Sequence, residues 1–397
     1  MTPHAVISGA GIAGPALAHQ LTARGWRATV VERFPERRDE GQNVDIRGAA
    51  REVVRRMGID DDVRAANTGE IGTRFVRTDG SPAASFPVST GGERDGPTAE
   101  LEILRGELSR ILIERSGANC EYRFGVQITD VTDHGDHVRA VLQDGTSLDA
   151  DVLVVAEGLR SRSRRLVTSA EVEDLGMYLA YATIPRVDTD DQWWNWQHET
   201  QHRGVHLRPD NLGTTRAILT FISDVRGLED LDRNAAIGIL RSTFADVGGA
   251  APRILAEIGN GAPMYFSAVG RLRNSSWSKG RIALLGDAAF SNATFGGAGT
   301  SLALIGAYIL AGELAATADT RHALTRYQSL MHPFVKTAPQ VRAEVLRLAN
   351  PRSRTAIRVI HAAAGLAASP VGKLVGAVAG RTIANIGGND VQLPAYQ

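Results

Sequence analysis

Apolar and polar positions along this chain follow two rhythms, one of period two and one of helical period, and they trade places repeatedly. A short buried strand ends at Val6-Ile7; glycines follow, then Ala16, Leu17, Ala18 and Leu21 at helical spacing up to Gly25. Residues 28–31 read as a second strand closed by Glu32. A polar stretch over 34–42 and the segment 43–48 precede a helix over 49–57, stopped by Gly58. Residues 70–88 alternate around Asp79-Gly80, and 138–149 around Asp144-Gly145, so each predicts a hairpin. Residues 100–105 lead into a helix carrying Leu108, Ile111, Leu112 and Ile113. The runs 151–156 and 281–285, apolar throughout after their opening Asp151 and Arg281, are of the kind buried in a parallel sheet.

The stretch from about 170 to 270 has a different texture. Runs at 177–184 and 217–223 sit between polar turns, with Trp193, Trp194 and Trp196 clustered near His198, His202 and His206. This predicts an antiparallel sheet layer inserted into the part where strands and helices alternate. A helix follows over 300–316, and the chain is helical again from 326, with apolar runs at 360–368 and 371–379 expected to pack in the core, a partner- or membrane-surface helix being the alternative. The fold class is therefore α/β: a Rossmann-like domain, an inserted antiparallel β-sheet domain and C-terminal helices. Its pieces are 1–70, 100–168 and 271–325 for the discontinuous α/β domain, 71–99 and 169–270 for the sheet domain, and 326–397 for the helical region.

Charge and cysteine content narrow the partners. The 397 residues hold 44 Lys plus Arg against 44 Asp plus Glu, so no net field favours nucleic acid or an anionic membrane. Cys120 is the only cysteine, which excludes an internal disulfide and fits a reducing cytoplasm. No run of about twenty uncharged apolar residues suggests an integral membrane segment. A cytoplasmic monomer or homodimer is expected.

The chemistry begins in the first thirty-odd residues. Gly9, Gly11 and Gly14, with Ile12 and Ala13 between the last two, give the G-x-G-x-x-G spacing between a strand and a helix. Such glycines allow a tight turn, close approach of a pyrophosphate and close helix–sheet packing, while the helix N-terminus faces the phosphates. Glu32, about twenty residues on, suits the two hydroxyls of an adenosine ribose and disfavours a 2′-phosphate. That leaves FAD and NAD open. The histidines at 198, 202 and 206 have helical ligand spacing in a β-like context with Gly204 between them, a poor zinc site, and no G-x-S-x-G elbow accompanies a serine.

Two further segments complete a pattern. Glu157-Gly158-Leu159-Arg160-Ser161-Arg162-Ser163-Arg164 follows the strand at 151–156, and Gly286-Asp287-Ala288-Ala289 follows that at 281–285, with Gly297-Ala298-Gly299-Thr300 downstream. In this order the segments resemble the three flavin-binding motifs of single-component FAD-dependent aromatic monooxygenases, the para-hydroxybenzoate hydroxylase-like family. Within it the chain looks most like the tetracycline-inactivating and polyketide-tailoring members. The resemblance implies that Glu157, Gly158 and Arg164 lie near the FAD pyrophosphate. It places Asp287 on the ribityl hydroxyls and Gly297 to Thr300 towards the isoalloxazine. Arg105, and more weakly Arg33 and Arg47, would contact FAD as well. Departures are Glu157 for the family's Asp, Phe290 for its His, and Ala293 and Thr294 for its prolines.

The activity the resemblance implies is hydroxylation of a small aromatic or polycyclic substrate with NAD(P)H and O₂, through a flavin C4a-hydroperoxide. Baeyer–Villiger or epoxidising chemistry, a flavin oxidoreductase without oxygen insertion, and a non-catalytic FAD-binding protein are the alternatives. Because the cofactor carries the chemistry, no amino-acid nucleophile is needed.

Overall fold

The computed structural model describes residues 2–38, 41–88, 99, 101–292, 297–369 and 391–396. Its organising layer is a six-stranded sheet in the order Ser278–Lys279, Ile282–Leu284, Val152–Val155, His4–Ser8, Arg27–Glu32 and Cys120–Phe124. All pairings are parallel except that of the Ser278–Lys279 edge. Val6, Ile7, Val30 and Val152 to Val155 are buried, as strands covered on both faces require. Helix Ala13–Thr22 and the almost wholly buried helix Gly299–Ala316 pack together in this core, with helix Thr320–Thr337 beside them. Gly299–Ala316 is long and apolar enough to cross a membrane, yet most of it is buried inside the protein.

The second layer is a seven-stranded sheet in the order Met264–Leu272, Val172–Pro185, Thr214–Ile222, Arg203–Pro209, Trp194–Glu199, Gly72–Val76 and Pro82–Pro87. It is antiparallel except where Gly72–Val76 runs parallel to Trp194–Glu199. Period-two alternation divides its faces. Tyr178, Ala180, Ala182, Leu219 and Phe221 pack against helices Arg233–Thr243 and Ala251–Gly259. The other face, with Leu179, Tyr181, Ile218, Arg208, Trp194 and Trp196, turns towards the first layer. A two-stranded ladder, Asn43–Asp45 with Glu102–Leu104, stands between the layers. A three-stranded antiparallel sheet of Ile128–Asp133, Val138–Leu142 and Ser147–Ala150 completes the set.

Three sequence expectations need amending. The 170–270 stretch carries two helices as well as strands, because Asp232 caps the first by accepting the Ala235 N–H at 2.9 Å. Helical structure in the C-terminal part begins at Thr320, where Asp319 caps the helix, rather than at 326. The run 360–368 is not core: it belongs to helix Arg354–Ala368, which has no buried residue and leaves Val359 and Leu366 more than half exposed. Its apolar character is largely alanine, which has too little volume to anchor a helix on more than one side. That helix rests on strand Pro82–Pro87. The run 371–379 lies outside the described residues.

Candidate functional site

Parallel strands end at the same edge of a sheet, so the turns after His4–Ser8, Val152–Val155 and Ile282–Leu284 converge there. They line one end of a continuous cavity of about 850 Å³ lying between the two layers. Backbone contacts lock the turns together. The Gly9 N–H donates to Val31 O at 2.8 Å, and a Cβ on Gly9 would meet Ala156 O at 2.5 Å. A Cβ on Gly14 would sit 1.9 Å from Gly9 O, so helix and turn touch only because glycine stands there. A Cβ on Gly11 would come within 3.2 Å of the Arg105 guanidinium.

The carboxylates at this end have distinct duties. Glu32 accepts the Ala10 N–H at 2.8 Å and the Phe34 N–H at 3.1 Å while lining the cavity, which fixes it at the strand end. Glu157 accepts four hydrogen bonds, from Ser8 Oγ at 2.6 Å, Ser161 Oγ at 2.8 Å, Ser163 Oγ at 2.7 Å and Ser163 N–H at 3.1 Å. Burial alone would raise its pKa; these donors outweigh it and hold the carboxyl below its ordinary range. Asp287 opens the short helix Asp287–Phe290 at the cavity wall, where burial pushes its carboxyl up against the pull of Arg105 and Arg164.

Fifteen of the eighteen residues singled out from the sequence line this one cavity: Gly9, Gly11, Ile12, Ala13, Glu32, Arg33, Arg47, Arg105, Glu157, Gly158, Asp287, Gly297, Ala298, Gly299 and Thr300. Arg33 is exposed at the mouth, its guanidinium 4.9 Å over the Phe34 ring. Arg47 is held by Asp45, with Nη2 to Oδ2 at 2.8 Å, and its N–H donates to Ser301 Oγ at 2.9 Å. Gly14, Arg164 and Gly286 lie behind the lining. Arg164 is buried and clasps two loops, donating to Ala288 O at 3.0 Å and to Leu159 O. Phe290 is buried edge-to-face on Trp277. Ala293 and Thr294 lie outside the described residues.

The other end of the cavity is aromatic. Phe75, Phe86, Tyr181, Trp194, Trp196 and His206 line it, together with Arg208. Trp193 lies elsewhere, beneath the Arg74 guanidinium. Arg208 donates to Glu70 Oε2 at 2.8 Å and to Glu102 Oε2; both acids and the arginine are buried. Asn43 Nδ2 and Thr68 Oγ1 each donate to Glu102 Oε1 at 2.7 Å. Burial pushes Glu102 up to about 8 although Arg208 draws it down. This cluster has no spacing that a sequence reading could recognise; the one clue is a pair of arginines, Arg203 and Arg208, in a strand otherwise suited to burial.

The three histidines separate. His198 and His206 are buried beside Trp196, at ring-centroid distances of 5.1 and 4.7 Å. His202 sits at the hairpin tip, where Gln201 and His202 have φ of 60° and 62° and their N–H groups bond Arg352 O and Pro351 O. No group of three metal-ligating side chains occurs among the described residues.

The family described as FAD binding domain matches residues 2–341. The chain belongs to that family. Within it, the chain is 34% identical over 396 residues to the flavin-dependent monooxygenase eupH of Phoma sp, covering 91% of each chain. The solved tetracycline destructase Tet(51) is 28% identical and superposes with a TM-score of 0.80 over 100% of both chains. Klebsiella pneumoniae HpxO, solved with FAD and uric acid, shares the fold at a TM-score of 0.74 and 19% identity over 94% of both chains. The Rossmann-like α/β architecture with an added sheet layer is thus that of FAD-binding oxidoreductases, and FAD is the family's dinucleotide. The residues present fit it: a glycine cradle that any Cβ would fill, an anchored acid at the second strand end, and a deep carboxylate flanked by arginines.

Proposed function

We propose that this chain is an FAD-dependent monooxygenase that uses NAD(P)H and O₂ to oxygenate a small aromatic or polycyclic molecule. The observation that carries this reading is the single cavity, glycine-, acid- and arginine-lined at one end and aromatic at the other. Bound FAD would supply the redox chemistry, with NAD(P)H as the electron donor and O₂ as the source of the oxygen atom transferred.

The chain's own residues do the rest. Gly9, Gly11 and the N-terminus of Ala13–Thr22 receive the pyrophosphate, Glu32 the adenosine ribose, and Asp287 the ribityl hydroxyls. The N-terminus of Gly299–Ala316 brings positive dipole and N–H donors to the ring end. The aromatic half binds the substrate and excludes water. Similarity to a tetracycline destructase makes polycyclic phenols the ligands to try first.

The test is a visible spectrum of the purified protein, recorded before and after anaerobic NADPH, with and without a panel of polycyclic phenols. Retained FAD that bleaches faster with one phenol, and a product one oxygen atom heavier in air, is the expected result. FAD that never bleaches, or NADPH turnover without oxygenated product under every ligand, overturns monooxygenation. A colourless protein that takes up no added FAD overturns the whole reading. Asp287→Ala should weaken FAD retention roughly tenfold or more, the value of a charge-assisted hydrogen bond, measured by flavin fluorescence on dilution.

A further inference from the structure

Two tryptophans in a cavity wall suggest a platform on which a flat substrate lies face to face. Here the faces are already taken. Trp194 and Trp196 stack on each other with ring planes 8° apart and centroids 5.8 Å apart. The Arg208 guanidinium lies 4.1 Å over Trp194, and His198 stacks on Trp196 at 5.1 Å. Trp194, Trp196 and His198 are alternate residues of one strand, so the pleat itself sets them side by side. The result is a ladder running Arg208, Trp194, Trp196, His198.

The indole nitrogens are engaged or buried as well. Trp194 Nε1 donates to His206 Nδ1 at 3.2 Å, and Trp196 Nε1 is buried. What these two residues offer the cavity is therefore their C–H rims. The rim of an aromatic ring is the positive part of its quadrupole, and its preferred partner is the negative face of another ring. The cation at the end of the ladder draws density from Trp194 and strengthens that polarity. Glu70 and Glu102 hold the cation in place from behind.

We infer that Trp194 and Trp196 select the substrate by edge-to-face contact, gripping an electron-rich ring by its π face. The inference rests on the reading of the aromatic half as the substrate site. It gives the wall a sign: rings with electron-donating groups bind, and rings of equal size with withdrawing groups are disfavoured.

The FAD-loaded full-length protein is titrated with methoxynaphthalene and, separately, cyanonaphthalene, a pair matched in size and free of hydrogen-bond donors. Binding is read from the flavin absorbance and from tryptophan fluorescence, without reductant. The methoxy compound should bind roughly two- to tenfold more tightly, the range of one edge-to-face contact. Trp196→Leu should bring the ratio close to one, whereas Trp196→Phe, which keeps an aromatic rim, should retain part of it. Equal affinities, the reverse order, or no saturable binding of either compound in the unaltered protein overturns the inference, whether or not the variants fold. So does an unchanged ratio in both Trp194→Leu and Trp196→Leu. Because no turnover is involved, a protein that shows the preference but never oxygenates defeats the activity reading and leaves this one standing.

Discussion

Gly14 is the tightest point in the glycine turn that follows the first strand. With Gly9 O only 1.9 Å from where its Cβ would lie, Gly14→Ala has no local escape, and loss of the folded state is the expected outcome. Gly25 provides the contrast: nothing lies within 4 Å of its Cβ position, but its φ is +79°. Gly25→Ala should cost only about 1 kcal/mol, the price of a left-handed conformation. Thermal melts of the two variants check both statements. These positions were legible in the sequence because glycine spacing writes backbone geometry directly. Arg208 was not. Its partners lie 138 and 106 positions away, and only the fold brings them into one cluster.

The helix Arg354–Ala368 illustrates how an element is held without a core. Its His361 Nε2 lies 3.2 Å from His198 Nδ1 and its ring is stacked on Phe75. Arg77 lies near His361, and His206 and Arg208 lie on the strand beside His198, so the charged neighbours of the pair are cationic. Burial keeps His198 neutral down to about pH 3, whereas unfolded it takes a proton near 6.5. Between those values the unfolded chain binds more protons, so stability present above pH 6.5 is lost as pH falls through that window. The slope is about 1.4 kcal/mol per pH unit for each such histidine. His198→Phe should flatten the acid limb, measured as urea midpoints from pH 7 down to 4. The helix itself was visible in the sequence, but its exposure was not. A run of alanines raises apolarity without adding the volume that burial requires.

At the scale of the whole molecule, Arg208 joins the layers: it stands on the seven-stranded sheet and binds Glu102 of the two-stranded ladder. Arg208→Met would leave Glu70 and Glu102 buried without their cation and donor and should destabilise the protein by roughly 3–5 kcal/mol, read from chemical denaturation. The three motifs were readable separately, and the parallel order of strands explains why they meet. The six-stranded sheet interleaves residues 4–8 with 152–155 and 282–284. That arrangement has a consequence for synthesis on the ribosome. A nascent chain that has not yet delivered residue 284 lacks one wall of its first glycine turn, and the central sheet is missing a strand beside 152–155. The N-terminal third therefore waits, exposed to chaperones, until most of the polypeptide has emerged. Capture of the yellow cofactor becomes a late event in the life of the molecule, and a ribosome-arrested fragment ending before residue 281 should leave the tunnel colourless.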